Sequence, residues 1–251
     1  MTRISSFLSL LLLGAFTLTF TACDEDDPSM DAEEAMLSMM FEYQVDGAAF
    51  TPGEVYNING TDVKIDIAHF YVGGIELMPE EGDAVVLEDK YLLVKPQSGM
   101  QELASVNTGH YHMLRFFVGV DPETNDQSED DFTSRDADDP LGIQNPSMHW
   151  GWNAGYRFLR IDGEVDTDGD GTMDESMAFH LGNDEMLQNV QLMAHKDVEK
   201  DGSNMLHIRF DLAALFDGLD LSTDYSTHTN NDPELAAAVR DNIPGAMQMA
   251  H

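Results

Sequence analysis

A short stretch of the chain collects side chains that could hold a soft metal or give up an electron. His149 stands directly before Trp150, Trp152 follows one residue later, and the chain has only these two tryptophans. They lie in DPLGIQNPSMHWGWNAGYRFLRIDG (139–163), and His180 closes the region in SMAFHLG (176–182). Imidazole nitrogen ligates copper, zinc and iron, and an indole with an accessible edge can be oxidised. The same residues could equally be core packing. Spacing alone leaves both readings open.

Two further histidines sit in strand-like runs. His69 follows Val63, Ile65 and Ile67 at every second position, and His112 has the parity of Leu114, Phe116 and Val118. A single histidine on such an apolar face is more often a hydrogen-bonded core residue than a ligand. Both therefore stand in reserve behind His149 and His180 as copper candidates. His207 reads as exposed, and His195, His228 and His251 fall in polar or terminal contexts. The one cysteine, Cys23, lies near the start, so no thiolate is available further on. Copper would then rest on histidine with methionine or carbonyl partners. Methionine is plentiful, at 16 residues, but it is also a common core filler.

Between the tryptophans and His180 lies DTDGDGTMDE (166–175). Asp166, Asp168, Asp170 and Asp174 occupy positions 1, 3, 5 and 9 of a calcium-loop pattern, Gly171 position 6, and the Thr172 carbonyl position 7. Position 12 is Met177 rather than the bidentate glutamate of an EF-hand, and the flanks read as strands. The pattern is that of an extracellular calcium-stabilised loop that stiffens a hairpin. A solvated acidic turn is the plainer alternative.

Composition narrows the setting. The chain carries 47 acidic against 12 basic residues, a net charge of −35, which repels nucleic acid and excludes it as a partner. Arg3 and the apolar run 7–20 form an export signal too short to span a membrane. Small residues before Cys23 resemble a bacterial lipobox, so lipidation of Cys23 is expected. Residues 1–22 are then the lipoprotein signal peptide, 23–38 an acidic tether, and 39–251 the folded domain. The product is a membrane-anchored lipoprotein facing the periplasm or the cell surface. Nucleophile elbows, HExxH helices, phosphate loops and dinucleotide fingerprints are all missing from the sequence, so no enzymatic activity is expected.

The positioning elements are mostly strands. About nine short alternating or apolar runs, separated by Gly, Asp and Asn clusters, predict an all-β fold, an antiparallel β-sandwich with long loops. Residues 197–204 read as a hairpin turn. A short C-terminal helix is predicted where Asp232 caps, Pro233 opens, and Leu235, Ala236, Val239 and Ile243 recur at helical spacing. The acidic segment 121–145 leads into the tryptophan pair and could cover it.

In order, HFYVGGIELM (69–78), YHMLRFFVGVDPETN (111–125), the 139–163 block and FHLGND (179–184) resemble the MbnP family of periplasmic or surface copper-binding proteins. The resemblance spans roughly 39–250 and implies a β-sandwich with an unusual copper site. It also implies a tryptophan oxidised to kynurenine by a partner di-haem peroxidase-like enzyme. Trp150 and Trp152 match the family's tryptophan positions, and His180 matches the histidine of its HLG motif. His149 is the local candidate for a second ligand. The expected function is therefore a lipid-anchored copper-binding protein. The competing expectation is an interaction lipoprotein without copper, stabilised by calcium.

Overall fold

The alternating residues do form strands, and a bulge in one of them decides where the histidines go. In the computed structural model, residues 33–151 and 155–250 are described. The expected leader, Cys23, most of the tether and Trp152 lie outside the described residues. The strands are β1 (Glu34–Val45), β2 (Ala48–Ala49), β3 (Val55–Ile58), β4 (Thr61–Pro79), β5 (Val85–Leu87), β6 (Leu92–Val94), β7 (Met100–Asn107) and β8 (Gly109–Val118). They continue with β9 (His149–Gly151), β10 (Gly155–Val165), β11 (Glu175–Gly182), β12 (Gln188–Val198), β13 (Met205–Asp211), β14 (Ser226–Thr227) and β15 (Met247–Met249). β1 thus begins at Glu34, within the segment assigned to the tether.

Two sheets result. The smaller runs β15-β13-β1-β2, with β7 also on β1; the larger runs β12-β8-β4-β10-β11-β14, with β3, β5 and β6 on β4 and β9 on β10. Aromatic contacts join them: Phe70 of the larger sheet meets Phe41 and Phe210 of the smaller at centroid distances of 5.2 and 5.0 Å. The Tyr43 hydroxyl donates to the Ala68 carbonyl at 2.9 Å. The fold is all-β and sandwich-like, as its sequence predicts. It is not wholly antiparallel, however: β13 pairs parallel to β1, and β14 parallel to β11. Nor is 197–204 a hairpin turn, because it carries the chain from β12 in one sheet to β13 in the other.

The pairing of β10 with β4 shifts between Asp162 and Gly163, which oppose Ile67 and Ile65 and leave Asp66 without a partner. One extra residue reverses the alternation. Val63 and Ile65 face the core, as do Ala68 and Phe70, whereas Ile67 and His69 turn to the opposite face. The expectation that His69 shares the Val63–Ile65 face is therefore corrected by this bulge. Gly163 permits the close approach: a Cβ there would lie 2.1 Å from the Lys64 carbonyl oxygen. A similar shift displaces His112. It is half-buried beside a register change in β12, and Tyr111 is the neighbour that turns to the core.

Besides a one-turn 3-10 helix at Asp184–Met186, the described residues hold four α-helices: α1 (Pro122–Asn125), α2 (Glu129–Thr133), α3 (Leu212–Leu215) and α4 (Pro233–Asn242). The last is the predicted C-terminal helix, and the Asp232 side chain caps it by accepting from the Leu235 N–H at 3.0 Å. The first two fold the acidic segment 121–145 into ordered turns that bury Phe132.

Candidate metal centre

Register places two of the candidate histidines on one surface. Arg160 of β10 is opposite His69 of β4 on one side and His180 of β11 on the other. Directly opposed residues share a face, so His69, Arg160 and His180 form a row on the side of the sheet away from the core. Strands are spaced by about 4.8 Å, which puts the two histidine backbones about 10 Å apart. Both side chains are nevertheless buried, at 8% and 7% exposure. The Nδ1 atom of each is buried without a hydrogen-bond partner among the described residues.

Asp162 organises the row. One of its oxygens meets His180 Nε2 at 2.5 Å, and the other accepts from Arg160 Nε at 2.5 Å. Burial pushes the Asp162 carboxyl up, but the hydrogen bonds from His180 and Arg160 outweigh this and hold it below the usual carboxylate value. A carboxylate on Nε2 fixes the imidazole and leaves Nδ1 as the free donor atom. This is the support that metal-ligating histidines commonly have. Burial, with Lys95 and Arg160 nearby, lowers His69 to about 4, so it is neutral at ordinary pH.

The parallel strand β14 brings in His228, which stands in a polar context in the sequence. His228 lies with its ring edge-on to His180, at 4.6 Å between centroids. Burial, then His180 and Arg157, lower its pKa. Thr229 locks this arrangement: its hydroxyl donates to the His180 carbonyl at 2.9 Å and accepts the Gly182 N–H at 3.0 Å. Nothing in the local pattern around HTNND marks His228, because its place depends on a pairing over long range.

Trp150 completes the group. It lines a cleft of about 970 Å³ together with His228, Gly182, Asn183, Asp184 and Asn125. The Arg157 guanidinium lies 5.3 Å from the indole centroid. Arg157 also donates to the carbonyls of Ser147 and His149 at 2.9 Å, and Arg160 to that of Ser147 at 2.7 Å. Two arginines thus hold the segment that carries Trp150 across the row.

His149 takes a different side. Adjacent strand residues point oppositely, and His149 is in register with Tyr156. Its ring stacks on Phe132 at 4.3 Å and meets Tyr156 edge-on at 4.8 Å, while Nδ1 accepts the Gly151 N–H at 3.1 Å. Burial and Arg157 lower its pKa. Its described contacts are with these aromatics rather than with the His180 group. His112 is farther still. It lies near Met78 in the register, nine residues along β4 from His69, or roughly 30 Å at 3.3 Å per residue.

The aspartate loop forms its own cluster between β10 and β11. Asp166, Asp168 and Asp170 bring ligand oxygens within 4.8 Å of one another. Buried Asp166 accepts N–H groups from Gly169, Asp170 and Gly171 at 2.8, 3.3 and 2.7 Å. Thr172 donates its N–H to Asp170. Asp174 is turned to the Thr167 N–H and hydroxyl, both at 2.7 Å.

The cleft wall offers a pH test. Asp121 caps α1 through the Thr124 N–H at 3.0 Å and accepts from the Tyr91 hydroxyl. Burial raises its pKa, but these hydrogen bonds outweigh it and depress the group overall. A depressed carboxylate contributes stability above its unfolded value of about 4, and that contribution is lost as pH falls through the lower folded value. Asp121→Asn keeps the cap and removes the titration. In urea melts, the gap between wild type and this variant is expected to be constant from neutral pH down to about 5 and to close below about 4. A gap that does not change with pH contradicts the assignment.

Comparison with known proteins agrees with this architecture. The MbnP family model matches residues 34–232. No curated protein matches. Among solved structures, MbnP from Methylosinus trichosporium has the same fold, with a TM-score of 0.58 and 18% identity over 82% of this chain and 87% of that one. The matched region runs from the first strand of the sandwich through the His228 turn to the cap of α4, and the chain belongs to the MbnP family.

Proposed function

We propose that this is a copper-binding protein held outside the cytoplasm by lipid on Cys23, and that it is not an enzyme. The observation that carries the reading is the in-register pair His69 and His180, two buried imidazoles on either side of Arg160 whose Nδ1 atoms have no hydrogen-bond partner among the described residues. An orphaned buried polar atom calls for a partner, and neutral imidazole suits copper. His69 and His180 would hold the ion, Asp162 would orient His180, and His228 and Trp150 would close the cleft side. Copper bound there supplies a redox-active centre beside an indole. Oxidation of Trp150 or Trp152 to kynurenine by a di-haem peroxidase-like partner belongs to the same proposal. Protein purified from its native host is expected to contain copper, and its peptide carrying Trp150 and Trp152 to weigh about 4 Da more than that peptide's sequence, from loss of one carbon and gain of one oxygen. Native protein with neither copper nor the added mass would overturn the reading.

Calcium in the aspartate loop is a second, separate component. It is favoured by the convergence of Asp166, Asp168 and Asp170, with Asp166 already held by three backbone N–H groups. Asp174 accepts from the Thr167 N–H and hydroxyl, both at 2.7 Å. Extracellular calcium modules bind with dissociation constants of about 0.1–1 mM. Calcium at 100 times the constant would add about 2.7 kcal/mol, or about 5–11 °C in Tm for a domain of this size. Asp168→Asn with Asp170→Asn is expected to abolish that shift in calorimetry. A shift that persists in the double variant moves the ion elsewhere.

A further inference from the structure

The outer face of the large sheet carries another set of soft donors at the opposite end of β4. Leu77, Leu114 and Leu192 are in register across β4, β8 and β12 and are buried, which fixes the core-facing parity there. The next row, Met78, Met113 and Met193, is likewise in register and must face outward. Met78 and Met113 are partly exposed and Met193 is 51% exposed. On the same face, the row Glu76, Arg115 and Gln191 is polar and bonded within itself, with Arg115 3.6 Å from Glu76 and 3.0 Å from Gln191. Three thioethers aligned beside such a row are not explained by burial.

Beyond the methionines the β12 register shifts, and His195 is held at φ 41°, a left-handed conformation uncommon for a residue with a side chain. Its ring lies 5.9 Å from that of His110, whose Nδ1 meets Asp197 at 2.7 Å. Two imidazoles that share one ion have centroids about 5–6 Å apart, given metal–nitrogen bonds near 2 Å. The far end of the sheet therefore joins a thioether row to a histidine pair.

We propose that Met78, Met113 and Met193 form a Cu(I) site, with His110 and His195 as the adjoining nitrogen donors. Thioether sulfur selects Cu(I) over harder ions. Neighbouring strands are about 4.8 Å apart, so the flexible arms of the two outer methionines can converge over the middle one. This site is separate from the His69–His180 row and stands whether or not that row binds copper.

The test uses the full chain carrying Cys23→Ser, in which every sulfur belongs to methionine. Anaerobic Cu(I) titration against a chromophoric chelator, followed by copper-edge X-ray absorption, is expected to show a sulfur shell at about 2.3 Å. Met78→Leu, Met113→Leu and Met193→Leu together are expected to remove that shell and one Cu(I) equivalent; leucine keeps a similar volume. His69→Ala with His180→Ala is expected to leave the shell unchanged, which separates the two sites. If the triple variant fails to fold, Met193→Leu alone, at an exposed position, is expected to reduce the number of sulfur scatterers by one. A spectrum of the Cys23→Ser parent without sulfur, or a sulfur shell that survives the leucine substitutions, overturns the proposal.

Discussion

Replacing His69 and His180 together by alanine is expected to lower Cu(II) affinity at the row by more than about a hundredfold, with Cu(I) at the methionine row retained. That bound follows because loss of a supporting partner alone typically costs about 10–100-fold, and loss of the ligands costs more. Each imidazole is buried with its Nδ1 unpartnered among the described residues, so each substitution removes a prepared donor. Asp162→Asn is a graded control. It removes the charge that holds His180 Nε2 at 2.5 Å and is expected to fall within the range of about 10–100-fold. His149→Ala is expected to leave copper affinity unchanged, since that ring is packed on Phe132 and Tyr156. Competition titration with a Cu(II) chelator reads all four proteins, and circular dichroism checks their fold. Copper that is retained by the double variant and lost from His149→Ala would shift the site to the tryptophan segment.

How much of this was legible depends on the range of the interactions. Local signals carried the strands, the Asp232 cap and the hairpin position of the aspartate loop, because alternation and turn residues act over a few positions. The parity of His69 was not legible. One bulged residue, Asp66, reverses every side chain beyond it, and Asp66 carries no mark in a run of Val, Ile and Ile. His228 was hidden for another reason: it reaches His180 only through a two-residue parallel strand, Ser226–Thr227 on Ala178–Phe179. Asp162 looked like one acid among many, and its role appears only once His180 and Arg160 are beside it. The parallel pairing of β13 with β1 is equally non-local, since it joins residues more than 160 positions apart. The family resemblance pointed to the segment from His149 to His180, but it did not say that His149 and Trp150 diverge.

Gly182→Ala is expected to be among the most damaging single changes near the site, through packing rather than ligation. A Cβ at Gly182 would lie 2.2 Å from the Trp150 ring carbon Cζ3 and 2.4 Å from the Tyr156 carbonyl oxygen. The indole could swing away, but the carbonyl belongs to β10 at its junction with β11, where Arg157 opposes Gly182. Relief therefore requires the strands to part as well as the ring to move. Forcing a methyl group into a filled site costs about 1–3 kcal/mol, occasionally more, which corresponds to a fall in Tm of about 2–12 °C in a domain of this size. Gly245→Ala, where the nearest neighbour is Asn242 oxygen at an ordinary 3.5 Å, is the control and is expected to be near neutral. The emission of Trp150 should shift to the red in Gly182→Ala as the indole is displaced into the cleft, with Trp152→Phe introduced in both proteins so that one fluorophore reports. Copper affinity should fall as well, because the Thr229 hydroxyl that accepts the Gly182 N–H also binds the His180 carbonyl. An unchanged Tm would mean that Trp150 does not pack on Gly182. A lowered Tm with unchanged copper affinity would separate the indole from the metal row.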